Sequence, residues 1–376
     1  MRIGISCHHT YGGSGTVATE LGMALARRGH RIHFIAFAVP YRLQVGPNIY
    51  FHQVDVMQYP LFEHTPVTLS LAAKMGETIA TERLDLLHVH YAIPYATAAY
   101  LALKLCPNND VKLVTTLHGT DITLVGQDPS YYAITKFSIE QSHAITAVSR
   151  WLREQTVNRF HVANPIEVIY NPVDTSRFVR APVPEFQRSL YAPNGEAIVM
   201  HISNFRAVKR VPDVVRIFAR IRDRMPAKLL MIGDGPQRMP AQELATELGV
   251  MKDVWFLGRQ ERVEAFLSLA DLFLFPSEYE SFGLAAAEAM ACEVPVVASR
   301  AGGLPEVIVD GESGFLCPVG DVEAMAARSI EVLQDRGLAR RITTAGLERV
   351  RENFAVDAIV KQYEEMYHQV LAGDPV

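Results

Sequence analysis

The chain has 376 residues, 49% of them hydrophobic and 20% charged, more than one hydrophobic core usually organises, so two domains of ordinary size are expected. A formal net charge of -5 argues against a broad nucleic-acid or anionic-membrane footprint and points to small-molecule partners. Four cysteines (Cys7, Cys106, Cys292 and Cys317) lack CxxC spacing, which speaks against structural zinc and for the reduced thiols of a cytoplasmic protein.

Strand and helix patterns alternate from the first residues. Arg2 to Ser6 reads as a strand, Ser14 to Arg28 as a helix, and Arg31 to Ala36, Leu86 to His90, Lys112 to Leu117, Ala144 to Val148 and Val168 to Tyr170 as further strands. Each is apolar enough to be covered on both faces, which is the rhythm of a doubly wound parallel sheet. Asn171-Pro-Val-Asp174 and the Pro-rich stretch from Ala181 then mark a linker. The pattern restarts with strands at Ala197 to Ile202, Lys228 to Ile232, Val254 to Leu257, Leu272 to Phe275 and Val294 to Ala298. Helices follow at Val322 to Leu333, Leu338 to Asn353 and Val356 to Leu371. No stretch reaches the ~20 apolar residues of a membrane span, and the N-terminus enters a strand without a signal-peptide pattern. The α/β fold expected is therefore two Rossmann-like units, 1–172 and 173–355, with ligands at the carboxyl ends of two parallel sheets that face each other across a cleft.

The motifs fall at strand ends. Gly12-Gly13-Ser14-Gly15 opens the first helix and lets backbone N–H groups approach an anion or a sugar, but it lacks the GxGxxG spacing and the Walker lysine. Arg206 and Lys209 follow the first strand of the second unit; together they suit a diphosphate, with Arg binding oxygen pairs and Lys acting as a point charge. Gly233-Asp-Gly235-Pro236 forms a turn after the next strand. Glu280-Ser281-Phe282-Gly283-Leu284 and Glu288 set two carboxylates eight positions apart around a helix start: its free N–H groups receive phosphate, and the carboxylates accept hydrogen bonds from sugar hydroxyls. An acidic helix start that merely satisfies its own dipole is the plain alternative. In the first unit, His88, His90 and Tyr91 end one strand, and Thr116, His118 and Asp121 lie at and beyond the end of another. Strand alternation puts His88 and His90 on one face, and nothing in the sequence compels His118 to join them, so a metal centre is not expected. Ser149 is a candidate N-cap, with Arg150 behind it to bind an anionic group.

These segments together resemble the retaining family 4 glycosyltransferases of the GT-B fold, from GGSG through HISNFRAVKR and GDGP to EYESFGLAAAEAMACEVPVVAS. The likeness covers almost the whole chain. GISCHHTYGGSGTVATELG, LHVHYAIPYATAAYLA, TLHGTDITLVG, ITAVSRWLREQT and IYNPVD are similar to those members that move N-acetylglucosamine from UDP-GlcNAc to L-malate, the first step of bacillithiol biosynthesis.

The resemblance implies roles residue by residue. Glu288 would hold ribose hydroxyls, Glu280 donor-sugar hydroxyls, and Arg206 with Lys209 the diphosphate, aided by the N–H groups of Phe282 to Leu284, with Gly13, Ser14 and Gly235 completing the donor contacts. His118 would touch the donor sugar. Ser14, Tyr91, Thr116, Arg150 and Asn204 lie where the family builds its acceptor pocket. His118, Arg206, Lys209 and Glu280 are the catalytic candidates. No cofactor and no metal is implied, since cations and a helix terminus stabilise the leaving diphosphate, and the final helix (356–376) is expected to return to the first domain. The sequence is compatible with a homo-oligomer. Another acceptor, such as an inositol phosphate or a lipid-linked sugar, a sugar-nucleotide epimerase and a noncatalytic sugar-nucleotide sensor are the alternative readings.

Overall fold

A computed structural model describes residues 1–374 except Tyr11, Pro60, Phe62 and Asn108. The chain divides into two compact units, Met1–Pro172 together with Val356–Val376, and Val173–Ala355.

The first unit carries a seven-stranded sheet: β1 (Arg2–Ser6), β2 (Arg31–Ala36), β3 (Ile49–Gln53), β4 (Leu86–His90), β5 (Lys112–Leu117), β6 (Ala144–Ala147) and β7 (Glu167–Val168), in the order β3-β2-β1-β4-β5-β6-β7. Every pairing is parallel. The second unit carries β8 (Ala197–Ile202), β9 (Ala227–Ile232), β10 (Val254–Gly258), β11 (Leu272–Phe275), β12 (Val296–Ser299) and β13 (Phe315–Cys317), in the order β10-β9-β8-β11-β12-β13, again all parallel. Both orders reverse direction beside the first strand of the unit, between β1 and β4 and between β8 and β11. Ligands of open parallel sheets bind outside the carboxyl ends of the strands at such a point.

The central strands are fully buried because helices cover both faces. Two strands were not legible from pattern alone. β3 is an edge strand whose residues are half-buried or exposed, and β13 has only three residues. β12 starts at Val296 rather than Val294, because Val294 N–H bonds Ala289 O and closes the preceding helix. The helix expected from Leu338 begins at Arg336, since Asp335 accepts hydrogen bonds from the N–H groups of Gly337 and Leu338.

The C-terminal helix Val356–Ala372 belongs to the first unit, and the last two residues of the chain lie outside the described ones. Its apolar face, Ile359, Val360, Tyr363, Met366, Tyr367 and Val370, packs into the core formed by Ile3, Ile5, Leu21, Leu25 and Phe34. Two of its hydroxyls reach the sheet. Tyr367 OH lies 2.7 Å from His88 Nδ1, and Tyr363 OH lies 3.3 Å from Thr116 Oγ1. Among the described residues no helix is long and apolar enough to cross a membrane.

Candidate functional site

In the second unit the loops after β8 and β11 converge at the point where strand order reverses. His201 ties the two strands: Nδ1 lies 2.9 Å from Leu274 O and Nε2 lies 2.8 Å from Ser203 Oγ. Beyond β8, Arg206 precedes a short 3₁₀ turn, Ala207–Lys209. Arg206 is exposed and, among the described residues, has no ion-pair partner. Lys209 Nζ donates to Glu280 Oε1 at 2.5 Å and sits 5.6 Å from the centre of the Phe275 ring. Arg210 pairs with Asp213 at 2.6 Å and approaches Glu278 at 3.8 Å.

Past β11, the helix Leu284–Ala291 starts at Gly283, whose φ of 103° is a left-handed conformation that favours glycine. No side chain caps this start. The N–H groups of Gly283, Leu284 and Ala285 meet no acceptor among the described residues, because the first helical bonds are Ala286 and Ala287 N–H to Gly283 O. Ser281 and Phe282 precede it, with Phe282 buried against Phe354. Glu280 and Glu288 are both buried, at 9% and 6% exposure, flanking an uncapped anion-binding terminus. Glu280 is fixed through its backbone: its carbonyl accepts Gly303 N–H at 2.8 Å, and a Cβ on Gly302 would lie 1.9 Å from that oxygen. Gly235 has φ 155°, and a Cβ there would come within 2.2 Å of Asn204 O. Asn204 Oδ1 is buried without a partner, so this residue, assigned to the acceptor pocket, neighbours Gly235 in the second unit.

In the first unit, Gly13 and Ser14 open the helix Gly13–Arg27 directly after the β1 loop, Gly13 exposed and Ser14 half-buried. Gly15 is where the turn requires glycine, since a Cβ would lie 2.3 Å from His8 O. Tyr91 leaves β4 with φ 93°, held by its N–H to Thr116 O at 2.9 Å. Its ring stacks on His118, centroids 5.6 Å apart. Arg150 is exposed at the start of the helix Arg150–Phe160, where Ser149 Oγ caps Leu152 N–H at 3.0 Å.

Two expectations need correction here. His118 does join the strand histidines: its Nε2 is 2.8 Å from His90 Nδ1, and His90 stacks on His88 at 4.4 Å. Thr116 does not offer its side chain to a ligand. It is wholly buried, and its hydroxyl is engaged by His88 Nε2 and Thr146 Oγ1, each at 2.7 Å. The sequence reading also missed Asp121 as a holder of the site. Its buried carboxylate accepts the N–H groups of Gly119 at 2.8 Å, Ala92 at 3.0 Å and His118 at 3.3 Å, pinning the loop after β5 to the turn after β4. The signal was present in the strand-end sequence His118-Gly-Thr-Asp121, an acidic residue just inside a helical turn.

Among the described residues one cluster has metal-like spacing: His33, His52 and Glu82. His33 Nδ1 already pairs with His52 Nε2 at 3.0 Å. Binding an ion at Nδ1 would put the proton on His33 Nε2, which is buried without an acceptor, so the arrangement fits a hydrogen-bonded pair. A surface depression of the first unit, lined by Arg2, Asp85 and Lys112, lies at the opposite, amino-terminal edge of the sheet, where Arg2 and Asp85 pair at 2.9 Å.

Burial drives the site histidines towards neutrality. It pushes His88 down to about 3 and His201 down to about 4, and it holds His90 and His118 well below the usual imidazole range. Unfolded, each would bind a proton below pH about 6.5. Unfolding therefore takes up protons, and stability is flat above that pH and falls as pH drops through 6.5. Asp121, pushed up to about 6 by burial, works in the opposite sense: it binds its proton more tightly when folded and gains stability on acidification. Each of the four histidines loses about 1.4 kcal/mol between pH 7.5 and 5.5 and Asp121 returns a little under 1, so the net loss is expected to be about 4 to 5 kcal/mol, read as a lower urea midpoint. An unchanged midpoint would contradict neutral burial.

Two Rossmann-like units with seven- and six-stranded parallel sheets, each with its polar loops at the reversal of strand order, have the GT-B fold. The pattern described as Glycosyltransferase Family 4 matches residues 11–177, and that described as Glycosyl transferases group 1 matches residues 183–349. The chain belongs to the family 4 glycosyltransferases. It is 47% identical, over 100% of its own length and 98% of the relative's, to N-acetyl-alpha-D-glucosaminyl L-malate synthase of Bacillus anthracis. Among solved structures it is similar to sucrose-phosphate synthase from Thermosynechococcus elongatus (TM-score 0.83, 24% identity, 99% and 100% of the two chains). HepE from Anabaena, in complex with UDP and glucose, has a TM-score of 0.80 at 20% identity, covering 97% and 99%. These likenesses concern the fold.

Proposed function

We propose that the chain transfers N-acetylglucosamine from UDP-N-acetylglucosamine to the hydroxyl of L-malate, with retention at the anomeric carbon, as the first step of bacillithiol biosynthesis. The observation that carries this reading is the 47% identity that runs end to end with the malate synthase of Bacillus anthracis. The second unit supplies the donor groups. The uncapped helix start at Gly283 and Leu284, with Arg206 and Lys209, meets the diphosphate; Glu288 meets the ribose hydroxyls; and Glu280, one oxygen on Lys209, offers the other to the sugar hydroxyls. Ser281, Phe282 and Gly235 shape the backbone around them. We assign Gly13, Ser14 and His118 to donor contacts, and Ser14, Tyr91, Arg150 and Asn204 to malate. Thr116 acts by holding Tyr91 through its backbone oxygen.

In the reaction, the bond between the anomeric carbon and the β-phosphate oxygen breaks as the malate hydroxyl oxygen bonds to the same face. The hydroxyl proton passes to the departing phosphate, so neither Glu280 nor Glu288 serves as a nucleophile. The protein lowers the barrier through fixed charge and oriented N–H groups. No metal is needed in this scheme: turnover is expected to survive chelation, and activity lost to a chelator and restored by magnesium would refute that. Four free cysteines accord with a reducing, cytoplasmic setting.

The test is mass spectrometry of reactions containing UDP-N-acetylglucosamine and a panel of hydroxy acids, inositol phosphate and lipid-linked sugars. A malate conjugate, with UDP release that depends on malate, is the expected result. A conjugate with another acceptor and none with malate would replace the acceptor; UDP release without any acceptor would favour an epimerase or hydrolase.

A further inference from the structure

His90 is wholly buried on β4, and only one of its ring nitrogens has a partner. Nδ1 lies 2.8 Å from His118 Nε2, while Nε2 is buried with no acceptor or donor beside it. Its ring is packed between neighbours: His88 stacks on it at 4.4 Å, and His118 lies 5.1 Å from it at an interplanar angle of 30°. The hydrogen bond between the two histidines can be written two ways. If His118 Nε2 donated, a neutral His90 would carry its proton on Nε2, an N–H buried without an acceptor. If His90 Nδ1 donates, Nε2 keeps only a bare lone pair. Orphaned buried N–H groups are the rarer and costlier of the two outcomes. The same burial keeps both rings neutral, so the pair shares a single proton in the bridge.

We infer that His90 is a positioning residue that locks His118 in the Nδ1–H tautomer, so that His118 presents a fixed hydrogen-bond donor to its ligand and has no lone pair with which to act as a base. His118 Nδ1 has no partner among the described residues and the residue is only partly buried, while Nε2 is occupied by His90. The rest of the ring is held as well. Tyr91 stacks on it, and Asp121 holds the His118 backbone N–H. A donor locked in this way suits an oxygen that gains negative charge or lone-pair density, a sugar hydroxyl or carbonyl, and leaves the acceptor's proton to the departing phosphate. This deepens the proposed transferase reading and rests on it for the catalytic consequence; the position of the proton does not depend on that reading.

The proton can be seen directly. In protein labelled with ¹⁵N-histidine, two-bond ¹H–¹⁵N correlation spectra report which nitrogen of each neutral ring is protonated, and the His118 signal is assigned by its loss in His118→Gln. Wild-type His118 is expected to show protonated Nδ1 and bare Nε2 from pH 6 to 8 without titrating. An Nε2–H ring, or a ring that becomes cationic in that range, overturns the inference. In His90→Leu, which keeps volume but removes the donor, His118 should move to an Nε2–H or mixed population, with kcat down roughly tenfold and KM for UDP-N-acetylglucosamine little changed. His90→Asn, whose amide N–H stands near the place of Nδ1, should restore the tautomer and most of the rate. A His118 tautomer unaltered in His90→Leu also overturns it. If the leucine variant does not fold, the wild-type spectrum decides alone, and if no malate conjugate forms at all, the spectra still separate a failed tautomer assignment from a failed choice of substrate.

Discussion

Arg206→Ala and Lys209→Ala are each expected to lower kcat by about two orders of magnitude or more, the loss seen when one well-placed donor to a developing oxyanion is removed. The two variants reach that result differently. Arg206 is exposed and unpaired among the described residues, so its removal should leave stability within about 0.5 kcal/mol of wild type and act on turnover alone. Lys209 also neutralises Glu280, whose carboxylate is 9% exposed, so Lys209→Ala leaves a largely buried charge without its partner and should lower donor affinity as well. Lys209→Met, which keeps most of the side-chain length but removes the ammonium that lies 5.6 Å from the Phe275 ring centre, separates bulk from charge. Steady-state kinetics with UDP release as readout decides the matter. Near wild-type kcat in both alanine variants would remove the two cations from the mechanism.

Gly302→Ala is expected to destabilise the protein by about 3 kcal/mol or more and to weaken donor binding with it. Gly302 has φ 55°, and its added Cβ would meet the Glu280 carbonyl oxygen at 1.9 Å and its carbon at 2.9 Å. Those atoms are backbone, so no rotamer change can relieve the contact. The peptide that would shift is the one held by Gly303 N–H, and it carries the Glu280 side chain with it. Gly311→Ala is the matched control: φ there is 77°, but nothing lies within 4 Å of the new Cβ, so only backbone strain of about 1 kcal/mol remains. Urea unfolding of the pair gives the comparison. Equal stability of the two variants would show that the Gly302 contact does not constrain Glu280.

The sheet strands were legible where burial on both faces makes a continuous apolar run. Arg31–Ala36, Leu86–His90, Lys112–Leu117, Ala197–Ile202 and Leu272–Phe275 have the boundaries their sequences suggest. β3 escaped because an edge strand is only partly covered, so its residues carry no unbroken apolar signal. The placement of Arg206, Lys209 and Glu280 in the loops beyond β8 and β11, and of Glu288 in the helix that follows, was readable because the apolar runs of those strands stop short of them. Contacts set by distant segments were not readable. Thr116 looked like a pocket residue because it ends a strand, yet its hydroxyl faces a tyrosine 247 residues away on the final helix. The His90–His118 bond follows from the pairing of His90 with Thr116 across β4 and β5, which carries His118 past the strand end to the level of its partner. Alternation within one strand cannot show that.

The second unit begins and ends at neighbouring points. Val173 N–H bonds Phe354 O at 2.8 Å, and Val173 bridges Ala355, so residues 173–355 form one contiguous segment whose two ends are stitched together. The first unit, by contrast, is completed only by Val356–Ala372 at the far end of the chain. On the ribosome this imposes an order of assembly: the second unit is available to fold as a whole while the first still lacks the helix that covers Ile3, Ile5 and Phe34. The segment synthesised first is thus the one finished last, and a nascent chain arrested before Val356 would hold a completed second unit beside an unsealed first core.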